Sequence, residues 1–272
     1  MLVRVFCVGD VVGKPGRKML SEHLPRFIEE RQIHCVVANG ENAAGGSGIT
    51  EPMCEKLHSC GVDVITLGDH AFRRREGLTA IGEGRGIVRP ANFAREAVGK
   101  GCVVESLGCG VEVAVINVVG RMYMRTQADC PFHAVDECLK TIDPSVKIRI
   151  VDMHAEATSE KIAMGWHLDG RVSIVFGSHT HVLTADERIL PGGTAYISDL
   201  GMTGPHESVL GRQTDRVLKA LTTNMPSMFE VATGDVRING IVVEVDSQTG
   251  KASKIERVCI SEDAPANAPF TR

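Results

Sequence analysis

A chain of 272 residues, 43% hydrophobic and 24% charged, has the length of one large α/β domain or two small ones and the composition of a soluble globular protein. With 30 Lys and Arg against 34 Asp and Glu, the formal net charge is −4, which argues against the broad basic face that extended nucleic acid or an anionic membrane requires. A small nucleotide substrate whose charge is met by metal ions remains compatible with it.

The first residues, VRVFCV (3–8), are a short apolar run ending at Gly9-Asp10, and read as a strand rather than a signal peptide. A helix is expected over 17–31, a strand at HCVVA (34–38), a helix over 51–60 with Thr50 as its N-cap, and a strand at DVITL (63–67). CVVES and VEVAVINVV, within 102–119, read as consecutive strands joined by the Gly-containing LGCG. A helix over 131–142, a strand at KIRIVD (147–152), a helix over 156–167 and a strand at VSIVF (172–176) follow. The stretch from Val236 to Ile260 reads as a hairpin around a turn at Gln248 to Gly250. Alternation of apolar strands with helices favours βαβ units and a central, partly parallel sheet, while the hairpin segments point to a mixed sheet or two packed sheets.

No composition shift or Pro/Ser-rich linker breaks the chain, so residues 1–260 read as one domain carrying a loosely held tail, SEDAPANAPFTR (261–272). No stretch approaches the roughly 20 apolar residues of a membrane helix. The 9 Cys are odd in number and form no C-x-x-C pair. Cys7, Cys35, Cys102 and Cys109 lie in apolar strand-like runs and are expected to behave as small buried hydrophobes. This usage fits a reduced, cytoplasmic setting better than a disulfide framework.

The polar residues fall where chemistry is expected. VRVFCV leads to Asp10, HCVVA to Glu41 and Asn42, DVITL to Asp69 and His70, KIRIVD to His154, and VSIVF to His179 and His181. In open α/β sheets, functional groups gather outside the carboxyl ends of the strands. If these strands are parallel neighbours, their five loops meet at one edge. Carboxylates, a carboxamide and three imidazoles form a mixed oxygen and nitrogen set without thiolate, which suits Mn, Fe or Zn rather than Ca²⁺. Six or seven ligands exceed the need of one ion with an open position but serve two ions sharing a carboxylate. His70 adjoins a ligand and exceeds the coordination need, so it is the candidate proton donor.

Taken singly, each residue has an ordinary reading: Asp10 as a capping residue, Glu41 and Asn42 as loop polars, His154 as a structural histidine. Their joint occurrence carries the metal-site reading. His23, His34, His58, His133 and His167 sit in helix- or strand-like segments and keep the structural reading, while His206 either lines the cleft or precedes a helix. GDVVGKPG is one residue short of a phosphate-binding loop and has Pro15 in place of the Ser or Thr, so nucleotide binding there is unsupported. Gly45, Gly46 and Gly48 give a backbone-rich loop beside Glu41, either near substrate or simply a turn.

These residues resemble the calcineurin-like metallophosphoesterases, whose motifs are GD, GNH, an isolated His and GHTH. The blocks GDVVGKPGR, NGENAAGGSGIT, VDMHAEATSEK and GSHTHVLTADERILPGGTAYISDLGMTG are similar to one branch, the YmdB-type bacterial cyclic-nucleotide phosphodiesterases. The resemblance runs from residue 1 to about residue 260. It implies a four-layer α/β/β/α sandwich with mixed sheets, two divalent or mixed-valence transition metals (Fe or Mn ahead of Zn), frequent homo-oligomerisation, and hydrolysis of 2′,3′-cyclic nucleotides or related phosphodiesters. By motif position, Asp10, Glu41, Asn42 and His181 would hold one metal, with Glu41 bridging. Asp69, His154 and His179 would hold the other, and His70 takes the proton-donor place. One position departs from the pattern: the family's GNH is Gly68-Asp69-His70 here. Asp supplies the same oxygen ligand with an added negative charge, which bears on metal choice and rate. A phosphomonoesterase or phosphoprotein phosphatase on the same fold, and a metal-binding regulatory protein of low turnover, are the alternatives.

Overall fold

Val3 to Val8 are apolar at every position except Arg4 because both faces of their strand are covered. In the computed structural model, which describes residues 1–262, this strand is β1 (Leu2–Val8). It is followed by β2 (Asp10–Val11), α1 (Gly13–Arg31), β3 (Cys35–Asn39), α2 (Glu51–Ser59), β4 (Val64–Thr66), α3 (Leu78–Glu83) and β5 (Ile87–Val88). The second half comprises β6 (Cys102–Ser106), β7 (Glu112–Val119), α4 (Pro131–Thr141), β8 (Ile148–His154), α5 (Thr158–Leu168), β9 (Ile174–Ser178), β10 (Arg188–Ile189), β11 (Ala195–Ile197) and β12 (Met202–Pro205). It closes with α6 (Thr214–Thr223), β13 (Val236–Asp246) and β14 (Ala252–Ser261). Of the expected tail, Ser261 ends β14, and 263–272 lie outside the described residues.

The strands form two mixed sheets. In the first, β1, β3, β4 and β5 are parallel neighbours, β13 is antiparallel to β1, and β14 pairs with β13. β12 pairs with the first residues of β13, and β2 lies parallel to β12. The second has the order β10-β11-β9-β8-β7-β6, with β7, β8, β9 and β11 parallel.

Strand alternation assigns each apolar side chain to one of three interfaces. Val3, Val5 and Cys7 of β1 meet Val37 and Val64, and pack with Val115, Ile150 and Ile174 of the second sheet. Phe6 and Val8 point the other way, against Leu20, Leu24 and Phe27 of α1 and Leu57 of α2. Ile116, Val151, Met153 and Tyr196 face outward from the second sheet beneath Val135 of α4 and Met164 and Leu168 of α5. Helices, sheet, sheet and helices therefore stack as the four-layer α/β/β/α sandwich that the family resemblance implies.

Several local expectations need correction. The five ligand-bearing strands do not share one central sheet: β1, β3 and β4 belong to the first, β8 and β9 to the second. α1 begins four residues before the expected start because Pro15 occupies its first turn, where a missing N–H costs nothing. Thr50 holds the N-cap position of α2, but its hydroxyl makes no capping hydrogen bond. Cys109 is exposed in the β6–β7 turn and Cys102 is half-buried, so neither behaves as the core hydrophobe expected; Cys7 and Cys35 do. All nine cysteines are free. Among the described residues no helix is long and apolar enough to cross a membrane.

Candidate metal centre

Parallel strands deliver their carboxyl ends to one rim, and two facing sheets bring two rims together. Asp10 opens β2 just after β1, Glu41 and Asn42 follow β3, and Asp69 and His70 follow β4. From the second sheet, His154 is the last residue of β8 rather than a loop residue, and His179 and His181 follow β9. All eight candidate ligand and proton-donor residues thus reach the same end of the sandwich.

Two groups form there, with Glu41 in both. Donor atoms of Glu41, Asp69, His154 and His179 all lie within 4.8 Å of one another. His154 Nε2 is 3.2 Å from Asp69 Oδ1, 3.3 Å from Glu41 Oε1 and 3.1 Å from His179 Nδ1. In the second group, Asn42 Nδ2 donates to Glu41 Oε1 at 3.1 Å and lies 3.2 Å from His181 Nε2, which is 3.8 Å from Asp10 Oδ1. His70 sits at the mouth, its side chain 27% exposed, with Nδ1 3.0 Å from Asn42 Oδ1 and 3.4 Å from Glu41 Oε1. Its backbone N–H donates to Glu41 Oε2 at 2.9 Å. Gly68 must be glycine, because a Cβ there would run into the His154 ring.

The donor set fits a cation. Asp10 Oδ1 is buried with no hydrogen-bond partner, although a buried carboxylate oxygen without one is costly. Burial pushes the Asp10 carboxyl up, and His181 and His154 oppose it. Burial acts upward on Glu41 too, but His154 and His70 outweigh it and hold that carboxyl below the usual range. Asp69 is likewise held low against burial, by hydrogen bonds from His154 and His179. Burial presses the His154 imidazole down, yet Glu41 and Asp69 raise it well above its ordinary value. For His70 burial again acts downward, and Glu41 and Asp69 turn the shift upward. His154 and His70 thus stand where positive charge is wanted among three carboxylates.

An outer ring orients these groups. Asn39, Thr66, Asp152 and Ser178 form a buried hydrogen-bonded cluster behind His154. Glu156 Oε2 lies 3.1 Å from His179 Nε2, and the Leu210 carbonyl is 3.0 Å from His181 Nδ1. Asp199 accepts from Thr180 N at 3.1 Å and Thr180 Oγ1 at 2.8 Å, and from the buried Lys161 ammonium at 2.6 Å, which pins the loop between the two histidines. That loop is strained, with φ of 95° at His179 and 63° at His181. Sequence reasoning passed over this ring. Its one visible signal was charge or carboxamide inside apolar runs, Asp152 in KIRIVDMH and Asn39 after HCVVA, since such groups are buried only when partnered.

Three of the histidines outside the centre hold structural contacts. Arg4 N donates to His34 Nδ1 at 3.1 Å, His58 Nδ1 donates to the Val62 carbonyl at 2.8 Å, and His167 pairs with Asp136 at 3.0 Å. His206 follows β12 with both ring nitrogens engaged, Nδ1 with the Gly204 carbonyl at 2.9 Å and Nε2 with Asn239 Nδ2 at 3.0 Å, so it is not part of the centre.

A family model described as YmdB-like protein matches residues 6–258. The chain belongs to the YmdB-like family. A relative in Bacillus subtilis (strain 168), named 2′,3′-cyclic-nucleotide 2′-phosphodiesterase, is 45% identical over 261 residues that cover 96% of this chain and 98% of that protein. A crystal structure described as a novel phosphatase of Mycoplasma pneumoniae is 34% identical, with a TM-score of 0.89 over 97% of this chain and 95% of that one. A hypothetical protein of Thermus thermophilus gives 36% identity and a TM-score of 0.88 over 96% of this chain and all of its own, 100%. The YmdB-like match thus spans both sheets and every residue of the centre.

Proposed function

We propose that this YmdB-like chain is a metal-dependent phosphoric ester hydrolase that opens cyclic phosphodiesters, 2′,3′-cyclic nucleotides first among them. The observation that carries this reading is the convergence of Glu41, Asp69, His154 and His179 within 4.8 Å, flanked by Asp10, Asn42 and His181. Asp10, Glu41, Asn42 and His181 would hold one metal and Asp69, His154 and His179 the other, with Glu41 shared. Bound there, two transition metals, Fe or Mn ahead of Zn, would supply Lewis acidity at the phosphoryl oxygens and a hydroxide near neutral pH.

The side chains do the rest. Glu41 and Asn42 hold His70 at the mouth, where its imidazole reaches both halves of the centre and can protonate the leaving oxygen. A net charge of −4 suits a small nucleotide or phosphoester rather than long nucleic acid. We read residues 1–260 as one domain in a cytoplasmic protein, with the free cysteines kept reduced. Exposed Leu218, Leu221, Met225 and Met228 on and after α6 support self-association.

Steady-state hydrolysis of 2′,3′-cAMP by protein reconstituted with Mn²⁺ or Fe²⁺ tests the proposal. His70→Ala should lower kcat about 10²- to 10⁴-fold while both metals stay bound. Absence of turnover across a panel of phosphomonoesters and phosphodiesters, with metals bound, would overturn the enzyme reading. It would leave the low-turnover metal-binding protein that Asp69, in place of the family's Asn, makes the second reading. Turnover of monoesters or phosphoproteins alone would instead favour a phosphatase on the same fold.

A further inference from the structure

Asp152 and His154 lie two residues apart on β8 and so share a face, and Ser178 on β9 is the register partner of His154. All three are completely buried, with 0% exposure. A carboxylate in such a place persists only when its oxygens are hydrogen-bonded. Asp152 Oδ1 accepts from Ser178 Oγ at 2.6 Å, and Oδ2 accepts from Thr66 Oγ1 at 2.5 Å and Asn39 Nδ2 at 3.1 Å. Thr66 and Asn39 come from the first sheet, whereas Asp152 and Ser178 come from the second. One carboxylate therefore fastens the two sheets together directly beneath the centre. Asn39 extends the tie by accepting the Glu41 N–H on Oδ1 at 3.1 Å.

Proton counting then fixes the direction of the chain of hydrogen bonds. A serine hydroxyl has one proton, and here it goes to Asp152. In its 2.9 Å contact with His154 Nδ1, Ser178 Oγ can only accept. Nδ1 of His154 therefore carries a hydrogen, and Nε2 is the nitrogen left to face Glu41 and Asp69 at 3.3 and 3.2 Å. An acceptor behind an imidazole fixes the ring's tautomer and rotation and strengthens the opposite nitrogen as a donor.

We propose that Asp152, acting through Ser178, is a positioning residue that holds His154 as the Nδ1–H form with Nε2 aimed into the centre. The relay sets the metal affinity of the half-site made by Glu41, Asp69, His154 and His179. The inference rests on the dinuclear reading of the site, and the two fail separately in the experiment below.

Calorimetric titration with Mn²⁺ compares wild type, Ser178→Ala, Ser178→Thr and Asp152→Asn, with circular dichroism and the thermal midpoint of each metal-free protein recorded alongside. Wild type should show two sites. Ser178→Ala and Asp152→Asn should weaken one of them about 10- to 100-fold and leave the other unchanged. Ser178→Thr, which keeps the hydroxyl, should retain both. Wild-type affinity at both sites in Ser178→Ala overturns the relay while the metal reading stands; no binding in wild type overturns both. A purely structural role would lower the thermal midpoints and spare the affinities. Should a variant fail to fold, histidine ¹⁵N spectra of the Zn²⁺-loaded wild type decide the point. A proton on His154 Nδ1 is expected, and a proton on Nε2 contradicts the proposal.

Discussion

The two halves of the centre satisfy their polar atoms in opposite ways. Glu41, Asp69, His154 and His179 already bond to one another and rest on the Asp152 cluster beneath. Asp10 and His181 stand 3.8 Å apart, and Asp10 Oδ1 has no partner in a fully buried position. The first half is organised by protein contacts alone, so its geometry precedes any cation. The second leaves a carboxylate oxygen unsatisfied, so a cation should stabilise it most. Preorganisation and strain sit side by side, joined through Glu41.

The sharpest way to break that contrast is His154→Ala. It removes the imidazole that Glu41 and Asp69 share and leaves buried carboxylates uncompensated. Urea unfolding of the metal-free variant should show a loss of about 3–5 kcal/mol. Asp10→Asn should act in the other direction in the absence of metal. It removes a buried charge that has no partner on Oδ1, so the metal-free protein should gain about 1–3 kcal/mol at neutral pH. Burial raises the folded-state pKa of Asp10 above its ordinary value of 3.8, so its ionisation costs stability as pH rises past that value. The gain from Asp10→Asn should therefore grow as pH rises above 3.8 and vanish below it. Loss of stability at pH 7 would show that Asp10 is satisfied without a cation. The smallest change is expected from Glu156→Gln, because that carboxylate is half exposed and its polar contact among the described residues is with the outward nitrogen of His179. Thermal unfolding should register no more than about 1 kcal/mol. A larger effect would move Glu156 from the rim into the organised half.

The chain's chemistry was legible in its sequence because strands covered on both faces are apolar throughout, so Asp10, Glu41, Asn42, Asp69, His154, His179 and His181 stand out at their ends. Which strands are neighbours was not legible. Pairing is a long-range property, and nothing local in β8 or β9 says that they form a second sheet facing β1, β3 and β4. Two elements were hidden for other reasons: β2 has two residues, and α6 buries only Val217. Ser178 shows a different limit. A serine at the end of an apolar strand has no sequence signature, and its role exists only because register places it opposite His154. Cys109 errs in the opposite sense, since its apolar neighbours belong to two strands while it occupies the turn between them.

Elemental analysis of the purified protein after metal-replete growth bears most directly on the proposed dinuclear centre. Two equivalents of transition metal per chain are expected, falling to one in Asp10→Asn. A wild-type protein that retains no metal would contradict the centre itself.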